Sequence, residues 1–233
     1  MMRLEKWLEL STRNGKQRIN EDNMIEKINI DERYIKEQEI SPGHQGNQQS
    51  YFNALLGTFS AEMNRMESFI DVGCREGYLM KEMFQKTQIS SVAGIDYFTW
   101  GKDICIPELK DSYHQWDLRD SLEQVAWLGE KYDIVNCTEV AEHIDPAYCD
   151  TFMKNLKLLT GEYLVISWSA DTTNDPNHQH LNPLDIESFH KKMNEYDFVR
   201  NDRLTARLVS EGQRNRIPFW YLSNGLSVWE IEE

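Results

Sequence analysis

Ser68-Phe-Ile-Asp-Val-Gly-Cys-Arg-Glu-Gly-Tyr-Leu-Met80 is the stretch that decides the fold of this chain. A short apolar run ends in Asp71. Gly73 and Gly77 follow, and a helical pattern opens at Tyr78. This order predicts a buried parallel strand, a tight glycine turn and the start of a helix. Glycine at such a turn permits unusual backbone angles and lets a ligand approach the main chain closely. In open α/β sheets, nucleotide-like ligands lie beyond the carboxyl ends of the strands. The expectation is therefore an adenosine-containing ligand at this turn.

Working outward from the turn narrows the choice of ligand. The dinucleotide fingerprint G-x-G-x-x-G is not met, because Cys74, Arg75 and Glu76 separate the two glycines. The phosphate-binding G-x-x-x-x-G-K-[ST] is absent as well. An acid ahead of the first glycine would repel a pyrophosphate and suits a cationic group, such as the amino group of S-adenosylmethionine. Ser91-Val-Ala-Gly-Ile-Asp96 reads as a second strand ending in an acid. Asp96 falls about 25 residues after Asp71, close to the spacing at which a strand-end acid accepts from ribose hydroxyls. Tyr97 follows it at the same strand end. Ser112-Tyr-His-Gln-Trp-Asp-Leu118 reads as a third strand, with Asp117 and Leu118 placed for adenine. Lys131 to Ile144 reads as a fourth strand running into the polar loop Glu139-Val-Ala-Glu-His-Ile144.

On these motifs the chain resembles the class I S-adenosylmethionine-dependent methyltransferases, within the broad group carrying E-V-x-E-H-I after the fourth strand. The resemblance covers roughly residues 47 to 205, with the motifs in the family's order. It implies a Rossmann-like α/β fold. The sheet is mostly parallel and seven-stranded, with helices on both faces and a C-terminal antiparallel hairpin. It implies S-adenosylmethionine as cofactor, held by Asp71, Gly73, Cys74, Gly77, Asp96, Tyr97, Asp117, Leu118 and Glu139. The chain departs from the family's acid-x-G-x-G-x-G at one place, where Arg75 stands for the middle glycine. Each acid also has a plainer reading. Asp71 is a good helix N-cap, and Asp96 and Asp117 read equally as strand-end acids facing water.

The loop after the fourth strand carries the candidate chemistry. In some relatives with this signature, the acids and the histidine bind a divalent metal, which lowers the pKa of an attacking hydroxyl. The resemblance therefore implies Glu139, Glu142, His143 and His180 as a ligand set for Mg²⁺ or Mn²⁺, with His178 on the same segment. Without a metal, His143 is the candidate general base, since an imidazole near pKa 6.5 suits proton removal at neutrality. Glu139 is its catalytic partner or holds the methionine end of the cofactor. Asn136-Cys-Thr-Glu139 lacks the Pro-Pro-aromatic that marks many nitrogen methyltransferases, so oxygen is the expected acceptor atom. The expected substrate is a small molecule or glycan-like. The alternatives are 2′-O-methylation of an RNA terminus and a non-catalytic cofactor-binding module.

Composition sets outer limits. The 233 residues are 40% hydrophobic, enough for one sizeable core. Mean hydropathy is −0.65, and no apolar run reaches the roughly 20 residues that span a membrane. The charged N-terminus does not read as a secretory signal, so a cytoplasmic protein is expected. Cys74, Cys105, Cys137 and Cys149 contain no C-x-x-C pair and predict reduced, packed thiols rather than a zinc site. The formal net charge of −14 opposes a nucleic-acid partner, because backbone binding relies on Lys and Arg.

Residues 1–46 read as an N-terminal arm or cap and 47–233 as the methyltransferase domain. Helices are expected over Asn47–Glu67, Tyr78–Gln85, Leu122–Leu128, Pro146–Leu159 and Asp185–Asn194. Glu162–Trp168 reads as a fifth strand. Phe198–Leu208 and Phe219–Trp229 alternate like two antiparallel strands, joined by the polar loop Glu211–Arg216. Arg200, Arg203, Arg207, Arg214 and Arg216 with Trp220 and Tyr221 form a candidate receiver for an anionic or sugar-like acceptor, or simply a solvated face.

Overall fold

A computed structural model describes residues 44–98, 105–125, 128–129, 131–171 and 180–232. Residues 1–43, His178 and part of the helix expected over 122–128 lie outside them. The described residues begin in helix α1, His44–Thr58, followed by a short 3₁₀ turn at Met63–Arg65. Strand β1, Ser68–Val72, then leads through the glycine turn into α2, Tyr78–Lys86. Next come β2, Ser91–Asp96, β3, Tyr113–Gln115, and β4, Tyr132–Cys137. A 3₁₀ turn over Pro146–Tyr148 opens α3, Cys149–Leu159, which feeds β5, Thr160–Ile166. The C-terminal part holds α4, Ile186–Asn194, β6, Phe198–Arg200, α5, Asp202–Arg214, α6, Phe219–Ser223, and β7, Ser227–Ile231.

The seven strands form one sheet in the order β3-β2-β1-β4-β5-β7-β6. Strands β1 to β5 pair in parallel, and β7 runs antiparallel to both β5 and β6. The alternation of strand side chains divides the core in two. Phe69, Ile134, Val165 and Val228 pack against α1, α2 and α5. Ile70, Val135, Leu164 and Trp229 pack against α3 and α4. The fold implied by the resemblance is therefore present, with helices on both faces. Because β1, β2, β4 and β5 are parallel, their carboxyl ends share one edge of the sheet.

Two expectations are corrected. Among the described residues, Leu122–Val125 is not helical: Val125 N–H donates to Leu122 O at 3.1 Å and closes a single turn. The long strands expected over 198–208 and 219–229 are short. From Asp202 the chain forms α5, because Leu204 and Leu208 repeat at a spacing of four and both are buried. Asn201 caps that helix, its side chain accepting from Leu204 N–H at 2.9 Å. The expected loop 211–216 is largely the last turn of α5. The antiparallel β6–β7 pair is thus joined by two helices. The expected boundaries of α2, α3 and α4 hold to within a few residues, and Asp185 caps α4 by accepting from Ser188 N–H at 2.8 Å.

Candidate functional site

The glycine turn is built by backbone geometry that few residues tolerate. Gly73 and Gly77 have φ of +81° and +70°, in the left-handed region that favours glycine. A Cβ on Gly73 would sit 2.4 Å from Cγ2 of Val140, so the turns after β1 and β4 meet there without room for a side chain. Asp96 at the end of β2 fixes the same turn. Its Oδ2 accepts from Arg75 N–H at 2.7 Å and its Oδ1 from Phe98 N–H at 2.9 Å.

Asp71 does not cap α2; Gly77 stands at that cap. Its carboxylate is buried and accepts from Asn136 Nδ2 at 2.8 Å. Asn136 Oδ1 in turn accepts from the Tyr51 hydroxyl at 2.7 Å. Burial pushes the Asp71 carboxyl up to about 7; the Asn136 hydrogen bond opposes this and the nearby Asp96 charge adds to it. Tyr51 stacks on Tyr221 with ring centroids 5.5 Å apart, and Tyr221 stacks on Trp220 at 4.1 Å. A wall of three aromatic rings thus runs from Asp71 to the surface at α6.

The residues expected at the adenine are differently disposed. Asp117 is held by Arg119, whose Nε and Nη2 donate to its two oxygens at 2.8 Å each. The Arg119 guanidinium also lies over the rings of Tyr97 and Tyr148, 5.7 and 5.9 Å from their centroids. Leu118 and Cys74 turn their side chains into the core. The Cys74 Sγ lies over Gly94, where an added Cβ would be 2.7 Å away. Cys74 therefore offers only its backbone to the turn.

After β4, Glu139 adopts φ +58°, an uncommon value for a residue with a side chain. It is clamped by Ser167 at the end of β5: Glu139 N–H donates to Ser167 Oγ at 2.9 Å, and that hydroxyl donates to Glu139 Oε1 at 2.7 Å. Asn224 Nδ2, just past α6, reaches both carboxylate oxygens at 3.2 and 3.1 Å. Burial raises the Glu139 carboxyl above its ordinary range, opposed by these hydrogen bonds and the charge of His180.

Glu142 is fully buried, and neither of its carboxyl oxygens has a hydrogen-bond partner among the described residues. Burial, and then the charge of Glu139, push it up to about 8; the backbone N–H groups of Glu142 itself and of Ser169 lie near enough to oppose this rise without closing a hydrogen bond. One ligand atom each of Glu142, His143 and His180 lies within 4.8 Å of the others. The two imidazole rings meet edge to face at 5.1 Å. The Asp171 carbonyl lies 3.0 Å from His180 Nδ1. A carbonyl can only accept, so this contact puts a proton on Nδ1, which leaves Nε2 to carry the lone pair when the ring is neutral. Glu139 stands beside this trio but is engaged elsewhere.

The sheet thus gathers the sequence-predicted acids along one edge. Sequence reasoning missed Tyr51, Asn136, Ser167 and Asn224, and grouped Tyr221 with the C-terminal arginines rather than with Tyr51. Asn136 carried a signal, since a polar side chain inside a buried parallel strand needs a partner. Tyr51 was hidden in the apolar stripe of α1.

A family profile described as a methyltransferase domain matches residues 44–200. No curated protein matches the chain. Among solved structures, the magnesium protoporphyrin IX methyltransferase from Synechocystis PCC 6803, with bound SAH, is 17% identical. It aligns at a TM-score of 0.51 over 75% of this chain and 85% of that one. The plantazolicin methyltransferase in complex with a triazolic desmethylPZN analog and SAH is 13% identical. Its TM-score is 0.52, over 88% of this chain and 89% of its own. The methyltransferase domain of bacterial-CtHen1-C is 17% identical with a TM-score of 0.51, over 67% of this chain and 87% of its own. Likeness at these identities is a likeness of fold, and the profile match adds the family. With the strand order, the glycine turn and the profile in agreement, the chain belongs to the methyltransferase-domain family, as a class I S-adenosylmethionine-dependent methyltransferase.

Proposed function

We propose that the chain methylates a hydroxyl oxygen of a small or glycan-like acceptor, using the edge formed by β1, β2, β4 and β5. The observation that carries this reading is the Glu142–His143–His180 cluster: a buried carboxyl whose two oxygens close no hydrogen bond among the described residues, beside two imidazoles. Bound S-adenosylmethionine supplies an electrophilic methyl group on a sulfonium, open to direct displacement. In this reading Asp71 receives the donor's ammonium group and Asp96 its ribose hydroxyls. Asp117 and Leu118 border the adenine, and Gly73, Cys74 and Gly77 give the backbone that the donor lies against. Tyr97 and Glu139 border the same pocket. His143 takes the acceptor's hydroxyl proton. Positioning of donor and acceptor supplies most of the rate.

The same cluster fits a divalent cation, because a buried carboxylate lacking partners and a histidine with its outer nitrogen bonded to a carbonyl are features of ligands. Glu142, His143 and His180 would hold it, and it would supply Lewis acidity toward the acceptor oxygen. Two imidazoles and one carboxylate favour Mn²⁺ over Mg²⁺. A metal-assisted reaction at the 2′-hydroxyl of an RNA terminus is the second reading favoured by this cluster. We assign the domain to residues 47–233, with 1–46 as an arm. Four buried, unpaired thiols support a reducing, cytoplasmic setting.

Calorimetric titration with S-adenosylmethionine, with and without Mn²⁺, tests the assignment. Wild type should bind the donor saturably, and Asp96→Ala should weaken binding about tenfold or more, the scale of hydrogen bonds to a charged group. A separate Mn²⁺ isotherm should appear in wild type and vanish in Glu142→Gln and His180→Ala. Donor binding that is unchanged in Asp96→Ala would remove the ribose assignment. A Mn²⁺ isotherm that survives both cluster substitutions would remove the metal assignment.

A further inference from the structure

Arg75 occupies the place in the turn where glycine is the usual residue of this family, and it holds φ at +48°. A residue with a side chain is strained there, and strain of this kind persists only where the surroundings over-determine it. The surroundings do so. Arg75 N–H donates to Asp96 Oδ2 at 2.7 Å, and its carbonyl accepts from the Tyr113 hydroxyl at 2.8 Å. The backbone is clamped from both sides, which fixes the direction in which the side chain leaves the turn.

That side chain is only 24% exposed. Its ion pair with Glu76 is long, Nε to Oε2 at 3.9 Å, well beyond the reach of a charge-assisted hydrogen bond. Burial raises both the Asp96 carboxyl and the Tyr221 hydroxyl, and the positive charge of Arg75 opposes each rise. Tyr221 also feels the negative charges of Glu139, Asp71 and Glu142. Tyr221 stacks on Tyr51, whose hydroxyl reaches the Asp71 carboxylate through Asn136, and Arg75 leaves the glycine turn that directly follows Asp71. The Asp71 carboxylate and the Arg75 charge therefore border one cradle. One anion and one cation about a common point complement the ammonium and carboxylate of an α-amino acid.

We propose that Arg75 is the carboxylate-binding residue of the donor site, its guanidinium fork pairing with the α-carboxylate of S-adenosylmethionine while Asp71 receives the ammonium. This rests on the cofactor reading above. It gives the strained residue a purpose, since a glycine at this position would relax the turn and leave the donor's carboxylate without a cation. It also offsets the concentration of acids at this edge, which would otherwise repel a carboxylate.

The test compares three probes on wild type and Arg75→Gly by calorimetry, with thermal melts alongside. The probes are S-adenosylmethionine, its decarboxylated form, which keeps the ammonium, and 5′-methylthioadenosine, which lacks the whole amino-acid end. Arg75→Gly should weaken S-adenosylmethionine about ten- to hundredfold. It should leave the decarboxylated form and methylthioadenosine unchanged, with a melting temperature equal to or above wild type as the strain is relieved. Equal loss for all three probes would mean that Arg75 only shapes the turn, and no loss for any probe would mean that the carboxylate is held elsewhere; either overturns the proposal. Wild type that binds methylthioadenosine but gains nothing from the amino-acid end also overturns it, with the adenosine site intact. Wild type that binds no probe removes the cofactor reading and this assignment with it.

Discussion

Asp71 is the residue whose environment most directly couples stability to ligand binding. Burial lifts its carboxyl from an ordinary 3.8 to about 7. The folded state therefore holds this proton more tightly than the unfolded chain does. The stability it contributes is complete below about pH 4 and is lost as pH rises through about 7. In the proposed donor site, binding runs the other way, because an ammonium group needs the ionised carboxylate, so affinity should rise over the same range. Asp71→Asn keeps a group that can pair with Asn136 but does not titrate. Between pH 5.5 and 8 the wild type should lose melting temperature relative to Asp71→Asn, while the variant should bind S-adenosylmethionine about tenfold more weakly or worse at pH 8. Melting curves across this range and calorimetry at its two ends check both trends. Parallel melting profiles for the two proteins would mean that Asp71 is ionised throughout. The placement of these acids was legible in the sequence because each sits at or just past a strand end, where a parallel sheet delivers it to one edge. Tyr51 was not, because its bond to Asn136 joins residues 85 apart in the chain, and only the packed structure brings them together.

Among the elements, α5 shows where reading by alternation fails. Val199, Leu204, Thr205 and Leu208 are compatible with a strand until their partners are known. The deciding features are Asn201, which caps the helix, and the burial of Leu204, Thr205, Leu208 and Gly212 on one face. That face packs on α1 and the sheet with Leu55, Phe59 and Val228 in the same core. Tertiary packing selects the helix, as it commonly does when local preference is weak. Asn201→Ala removes the cap and should cost about 1 kcal/mol. Leu208→Ala opens a cavity in the core and should cost about 2–5 kcal/mol. Chemical denaturation would separate the two, with the midpoint falling further for Leu208→Ala and the slope unchanged in both. A Leu208→Ala loss no larger than that of the cap would place α5 outside the cooperative core. The glycine turn and the strand ends were readable because glycine and acids there have few competing uses. A helix with a buried face of only four residues has a weaker mark in the sequence.

At the scale of the molecule, electrostatics separates the small-acceptor reading from the RNA reading. The formal net charge is −14, and the arginines near the C-terminus are largely engaged by the protein itself. Arg200 pairs with Asp202 at 2.6 Å, Arg203 with Glu62 at 2.9 Å and Arg214 with Glu211 at 2.6 Å. Arg207 donates to Ser60 at 2.5 Å. A phosphate backbone would have to displace these partners before it gained a cation, and it would do so against the overall field. The exposed ring of Phe219 and the half-exposed ring of Trp220 present an uncharged surface at α6 instead. An RNA duplex with a free 3′ end should therefore show no saturable binding tighter than about 100 µM at physiological salt, the weak end of non-specific affinity. Fluorescence anisotropy at two salt concentrations measures this. Submicromolar binding that falls steeply as salt rises would mean that cations are delivered to the site after all. The Glu142–His143–His180 cluster would then act on a ribose hydroxyl, and the acceptor assigned to this fold would change while its donor site stayed the same.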